Sequence, residues 1–309
     1  TIVLVPNGGN GTNETINVSS NTANPILHKL PANTFTLDSW TFAYWLDGSG
    51  KVVKDTAIVE VAHEATLTLT AQWFSKKADG SITVPGGDGT PSTPDDVTAK
   101  PNPNPGEGED GSLKRDPDTG VINVPNGGSV IDKDGNEIAM PNGGTVKPDG
   151  TITIKQPDGT DIVVKPDGST EPGADGKQNL CLTYRSNEGG IADVKVYFKE
   201  GASVKVKADA MTRKGYKLGQ WLNGDVSVAI GSDISTTTTL TAKWYKVNDD
   251  GSVTVPGKDG EIESPKDQDN VTVKPGKDGT TPDVDDNGKV TVPDNGNGTG
   301  TVVTPDGEL

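Results

Sequence analysis

The chain writes one sentence twice. Residues 71–86 read AQWFSKKADGSITVPG and residues 242–257 read AKWYKVNDDGSVTVPG, with Trp73 and Trp244 separated by 171 positions and Gly80 and Gly251 by the same interval. A repeat that keeps register across a tryptophan, a turn glycine and a proline means that one supersecondary design is built twice. The match extends upstream, where LPANTFTLDSWTFAYW (30–45) parallels VKADAMTRKGYKLGQW (206–221) and TIVLVPNGG (1–9) parallels NLCLTYRSNEGG (179–190). Downstream, DDVTAKP (95–101) parallels DNVTVKP (269–275), and DTGVINVP (118–125) parallels DNGKVTVP (286–293). The second copy stops at PDGEL before matching all of the first, so the expectation is a window onto a longer array.

Composition divides each copy in two. All fourteen aromatic residues lie between Phe35 and Phe74 or between Tyr184 and Tyr245. Large side chains supply most of the burial in a small core, which places packed modules at 1–76 and 177–246. Each is close to the smallest size that folds unaided. The intervening stretches, 77–176 and 247–309, consist of Gly, Pro, Asp, Asn, Thr and Val and read as spacers. The net charge is −16, carried mostly by these stretches, and such a chain repels nucleic acid over most of its length. A single cysteine excludes an intramolecular disulfide framework. No run of 18 apolar residues marks a membrane helix.

Within the modules, TIVLV (1–5), ATLTLTAQW (65–73), DVKVYF (193–198), ASVKVKA (202–208) and TLTAKW (239–244) alternate with the period of strands. Leu67, Leu69, Ala71 and Trp73 share one face in this reading. NPILHKL (24–30), closed by Pro31, suggests a short helix. Cys181 takes an inward strand position as a small core residue.

The order V-x-x-x-N-G-G, an aromatic knot, then L-x-A-x-W resembles the Listeria–Bacteroides repeat, the B-repeat type of module of internalin B. In the first copy it is carried by Val3, Asn7, Gly8 and Gly9, by Trp40, Phe42 and Trp45, and by Leu69, Ala71 and Trp73. In the second it is carried by Gly189 and Gly190, by Gly215, Tyr216, Leu218 and Trp221, and by Leu240, Ala242 and Trp244. Ser39, Tyr44 and Gln220 stand where the family pattern has glycine. The resemblance covers the two modules and not the stretches between them. It implies a small ubiquitin-like β-grasp domain, repeated in tandem on bacterial cell-surface proteins, with no catalytic residues.

The spacers carry turn signals of their own. Asn126-Gly127, Asp134-Gly135, Asn142-Gly143, Asp149-Gly150, Asp158-Gly159 and Asp167-Gly168 punctuate residues 120–168 at intervals of seven to nine. These dipeptides predict type I′ hairpins. An antiparallel meander with a thin, single-layer core and a β-solenoid both fit, as does disorder. Strands are expected over 118–168 and 250–309, and a flexible connection over 90–111.

Few motifs carry chemistry. GEGEDG (106–111) spells G-x-G-x-x-G but opens no helix and holds three acids that would repel a pyrophosphate. His28 and His63 are the only histidines, and neither is spaced for zinc or for a nucleophile. DVDDNGKVTVPD (283–294) places Asp283, Asp285, Asn287 and Asp294 in the ligand register of a calcium loop, with Gly288 at its turn, though no helix flanks it. An Asp-rich hairpin turn is the plainer reading. Lys195, Lys199, Lys205, Lys207, Arg213, Lys214 and Lys217 fall within 23 residues. Strand alternation could gather several of them, Lys195, Lys205, Lys207 and Lys214 above all, into a face for an anionic glycan. A solvated face that balances the acidic spacers is the competing reading. An intramolecular isopeptide bond would need a buried acid beside its lysine, which spacing does not place.

The expectation is therefore a mainly β chain, with tandem β-grasp-like modules alternating with hairpin, meander or solenoid-like spacers. Its expected role is non-enzymatic: an extracellular stalk on a bacterial surface that projects a distal adhesive region. The alternative is an adhesin module that binds host or cell-wall glycans directly. No cofactor beyond calcium and no nucleic-acid partner enters this reading.

Overall fold

The computed structural model describes residues 1–19, 25–172, 175–257, 270–276, 279–286, 288–292 and 301–305. The chain forms two compact units, Thr1–Gly176 and Lys177–Leu309. Among the described residues every regular element is a strand.

In the first unit, β1 (Ile2–Val5) pairs antiparallel with β2 (Glu14–Ile16). β3 (Ile26–Lys29), β4 (Thr41–Asp47), β5 (Val52–Val53), β6 (Ile58–Val61) and β7 (Leu67–Lys76) follow. β7 lies parallel to β1, with Ile2 opposite Leu67 and Leu4 opposite Leu69, and β4 pairs antiparallel on its other side. The order β2-β1-β7-β4-β5 therefore sets the first and last strands of the module side by side at the centre. Alternation sends Ile2, Leu4, Leu69, Ala71 and Trp73 to one face, where they pack with Trp45, Phe35 and the β3–β6 ribbon. Phe42 sits 5.0 Å from Trp45 and 5.9 Å from Trp73, in tilted and edge-on geometries. Each fully buried large side chain contributes about 1.5–3 kcal/mol. The helix suggested over 24–30 is instead β3: Leu27 and Lys29 point outward, and Ile26 and His28 pair with Val61 and Val59. A segment this short, with prolines at 25 and 31, gains more from a partner strand than from one isolated helical turn.

The second unit repeats the plan. β17 (Asn179–Arg185) pairs antiparallel with β18 (Val194–Lys199) and parallel with β23 (Thr238–Val247). β19 (Val204–Lys205) and β22 (Asp233–Ile234) form the covering ribbon, and β20 (Tyr216–Asn223) and β21 (Val226–Val228) extend the sheet beyond β23. Leu182, Tyr184, Leu240, Trp221 and Trp244 fill the core. Cys181 has the opposite parity from Leu182 and Tyr184, so it lies on the other face of the sheet, outside this core. The period of two allows no compromise once the larger side chains choose their face.

The stretches after the modules are folded as well. β7 turns directly into β8 (Ile82–Val84), which pairs with β9 (Val97–Lys100), so four residues of the expected flexible connection are ordered strand with Val97 and Ala99 buried. β10 (Lys114–Arg115), β11 (Ile122–Val124), β12 (Gly128–Ile131), β13 (Glu137–Met140), β14 (Gly144–Val146), β15 (Ile152–Lys155) and β16 (Asp161–Val164) complete the unit. β9, β12 and β13 continue one sheet, while β10-β11-β14-β15-β16 form a second. Two sheets share an aliphatic core, with Ile122, Val130, Ile138, Met140, Ile154 and Ile162 all fully buried. Within this stretch β14-β15-β16 run as an antiparallel meander, but two sheets stand in place of the single layer expected. The stretch manages without aromatics because small branched side chains fill the space between two close sheets.

The turn dipeptides sort by residue type. Asp134-Gly135, Asp149-Gly150 and Asp158-Gly159 join neighbouring strands of one sheet, whereas Asn126-Gly127 and Asn142-Gly143 carry the chain from one sheet to the other. At the Asp-Gly hairpins only the glycine has positive φ. Paired bonds such as Gly150 N–H to Lys147 O and Lys147 N–H to Thr151 O mark a type I turn closed by a glycine bulge, not the type I′ turn expected.

The second unit's tail has the same opening: β24 (Val253–Val255) follows β23, β25 (Val271–Val273) pairs with it, and β26 (Asp283–Val284), β27 (Val290–Val292) and β28 (Thr301–Val303) form the facing sheet. Val253, Val255, Val273, Val290 and Val303 pack with Tyr245.

Both modules carry a bulge where the sheet meets its tail, with Ala43 and Gly219 as the extra residues. A Cβ on Gly219 would stand 2.2 Å from the buried Tyr245 ring. Gly219→Ala should cost the second unit about 1–3 kcal/mol through overpacking. Ala43→Gly should cost the first about 0.5–1 kcal/mol, from backbone entropy alone. Unit-resolved hydrogen exchange in denaturant reads both, and equal costs would refute the steric assignment.

Candidate functional site

The structure divides the lysine group of the second unit. Val204, Val206 and Ile234 turn inward, which leaves Lys205 and Lys207 exposed together on the outer side of the ribbon. Lys195 sits on β18 with the parity opposite to the core residues Val194, Val196 and Phe198, so it faces away from the ribbon side. Lys199 is buried, while Lys214 and Lys217 are exposed near the start of β20. Several cations hold acids. Lys205 Nζ lies 3.2 Å from Asp233, Arg213 Nη1 lies 2.7 Å from Glu188, and Lys217 Nζ lies 3.8 Å from Asp283. The Arg213 guanidinium also stacks 3.4 Å from the centre of the Tyr216 ring.

Of the calcium register, Asp283 begins β26 opposite Thr291, and Asp285 Oδ1 accepts the Lys289 N–H at 2.9 Å across a tight turn. Asn287 and Asp294 lie outside the described residues. Among the described residues no group of three or more His, Cys, Asp or Glu side chains is gathered to hold a metal ion. His28 lies in the β3–β6 ribbon and His63 in the exposed turn after it.

Several other aspartates work within their own turns. Asp79, Asp149, Asp158, Asp167 and Asp250 each accept the backbone N–H of the residue after the turn glycine, at 2.9 Å. At Asp167 and Asp250 the following serine hydroxyl donates too, at 2.6 Å, and that bond leads the causes holding both carboxyls below their ordinary range. Bonds from Ser112 and then Lys114 bring Asp110 down to about 2. Asp96 goes the other way, raised by burial.

Sequence reasoning passed over the junction between each module and its tail. In the first unit, the Arg115 guanidinium lies 4.5 Å from the centre of the Phe74 ring and 5.8 Å from that of Tyr44. Such contacts contribute about 0.5–2 kcal/mol each. Burial pushes the Tyr44 hydroxyl up to about 12, opposed by Arg115 and reinforced by Asp149. The turn at Gly120 presses on Tyr44, where a Cβ would come within 2.5 Å of the ring. Asn7 Nδ2 donates to Ala71 O at 2.9 Å and Gly89 O at 2.8 Å, and the Trp40 indole donates to Ser92 Oγ at 3.0 Å. The tail therefore folds back onto its module. In the second unit strand pairing puts Val284 where Arg115 stands, and Tyr245 Oη donates to Gly288 O at 2.8 Å. The one available signal was the pairing of a lone arginine with a ring-rich module in an otherwise aliphatic, acidic stretch.

Comparison with known protein families and with curated proteins finds no match.

Two outcomes follow from this geometry. Depressed folded pKa values at Asp110, Asp167 and Asp250 stabilise the turns above the unfolded carboxylate value, and that stabilisation is lost as pH falls from there through the lowered folded values. NMR titration should find these three half-protonated below the ordinary 3.8 and Asp96 above it; the reverse order would refute the turn bonding. Arg213→Ala should cost about 1–2 kcal/mol, since its side chain is partly buried on a ring. Lys205→Ala, in an exposed pair, should cost under about 1 kcal/mol. Thermal melting distinguishes the two.

Proposed function

We propose that this chain is a load-bearing repeat region of a bacterial surface protein, a stalk segment whose units are each a β-grasp-like module with its folded tail. The observation that carries the reading is the parallel pairing of first and last strands at the centre of both modules, β1 with β7 and β17 with β23. Tension entering along the first strand and leaving along the last slides two parallel strands past each other. Their hydrogen bonds are then loaded together, whereas hairpin strands peel open one bond at a time. The order β2-β1-β7-β4-β5, with a ribbon across one face, is that expected of a β-grasp sheet, and it supports the resemblance to the Listeria–Bacteroides repeat. Duplicating such a unit adds length without adding chemistry, and an acidic surface keeps neighbouring copies from sticking.

Pulling single molecules by their ends tests this. Two high-force events are expected, one per module, each releasing roughly 250 Å, since an extended chain spans about 3.5 Å per residue. Tail hairpins should open earlier and at lower force. Modules that yield at or below the force of the tails would sink the load-bearing role.

A further inference from the structure

The two units differ at one internal position in a way that leaves a vacancy in the first. Strand pairing makes Lys243 the counterpart of Gln72, because Gln220 faces Lys243 as Tyr44 faces Gln72. Continuing the same registers, Gly257 corresponds to Gly86 and Pro305 to Pro148. In the second unit Lys243 is buried, and its ammonium donates to Pro305 O at 2.8 Å and Gly257 O at 3.4 Å. In the first unit Gln72 is too short to make that reach. It folds back, its Nε2 donating to Ala71 O at 3.1 Å and Thr70 O at 3.4 Å. What remains is a cavity of about 470 Å³ between module and tail, lined among others by Gln72, Gly86 and Pro148. That volume is within the range of small-ligand sites.

We propose that this cavity binds a primary alkylammonium group of about the length of a lysine side chain. The backbone frame that seats an ammonium in the second unit recurs here without its tethered cation. The Gly86 carbonyl accepts the Gly89 N–H at 3.0 Å and has a second lone pair to offer. Leu46, Val52 and the Tyr44 ring supply an apolar wall for a methylene chain. At the rim stand two carboxylates, Asp88 and Asp149, and the Lys147 ammonium, with the Arg115 guanidinium 5.8 Å from the centre of the Tyr44 ring; the two carboxylates are the anionic partners open to a bound cation. The ammonium shape, three donors on one nitrogen, suits two carbonyls and a carboxylate. Its source is either a lysine side chain of a partner or a free polyamine.

The test is an NMR titration of the whole chain with butylammonium, Nα-acetyl-lysine methylamide and 1,4-diaminobutane, with butyltrimethylammonium as a cation that cannot donate. Saturable shifts at the Gly86, Gly89 and Asp149 amides with primary ammonium ions, absent with the trimethylated ion, are expected. Gln72→Lys should abolish them by supplying the tethered cation. Asp149→Asn, which keeps an acceptor for the Thr151 N–H, should weaken them several-fold and serves if Gln72→Lys perturbs the fold. Shifts with the lysine amide but not the diamine assign the site to a partner's lysine, and the converse assigns it to a polyamine. No saturable shift with any primary ammonium overturns the proposal. So do equal shifts with the trimethylated ion, or shifts undiminished in both variants.

Discussion

Everything in each unit hangs on one indole. Trp73 Nε1 donates to Pro6 O at 3.0 Å, and Trp244 Nε1 donates to Ser186 O at 2.7 Å. In both copies a tryptophan late in the last module strand thus fastens the backbone just beyond the first strand. Losing that donor in the second unit would strip the buried Ser186 O of its indole, a penalty of about 1–3 kcal/mol, whereas Pro6 O would keep the Gly9 N–H at 3.0 Å. The indole bond lies at the end of the parallel pair and ties it in the register that sets Leu4 opposite Leu69 and Tyr184 opposite Leu240. Asn7 and Asn187 turn the chain at equivalent points with φ of 49° and 59°, delivering the carbonyl to the indole.

Around that constant frame the copies exchange their interior charges. The first unit keeps a cation in the tail, where Arg115 lies over Phe74 and Tyr44. The second has Val284 there and carries its cation on the module strand as Lys243. Each arrangement lets a positive group hold module and tail together, through aromatic faces in one case and backbone carbonyls in the other. A duplicated backbone tolerates such exchange because the strand ladders, not these side chains, define its shape.

The turns show a similar economy. An aspartate after the first turn residues can only accept, so it folds onto the N–H groups of its own hairpin, as Asp149, Asp158 and Asp167 do. An asparagine can also donate, and Asn7 and Asn142 reach carbonyls of other strands, Ala71 O and Lys155 O. In the tail of the first unit the hairpins within a sheet carry Asp-Gly, and the corners between sheets carry Asn-Gly. Of the acids in the calcium register expected from the sequence, Asp285 is engaged in this same local bonding.

The duplication, the strand period and the confinement of aromatics to two modules were legible in the sequence, since each is a pattern of side-chain type along the chain. So were the inward faces of β7 and β23, because strict alternation leaves a strand one way to bury Leu69, Ala71 and Trp73. What alternation does not encode is which strand lies beside which. The strand at Ile26–Lys29, the outward parity of Cys181, the second layer of the tail and the return of Arg115 onto Phe74 all depend on partners distant in sequence. The split of the lysines, with Lys195 on one face and Lys205 and Lys207 on another, depends on them too. The sequence by itself determined what each segment could bury. Tertiary structure alone decided what it was buried against, because contact free energy is gained only where two surfaces meet, and a local pattern names just one of them.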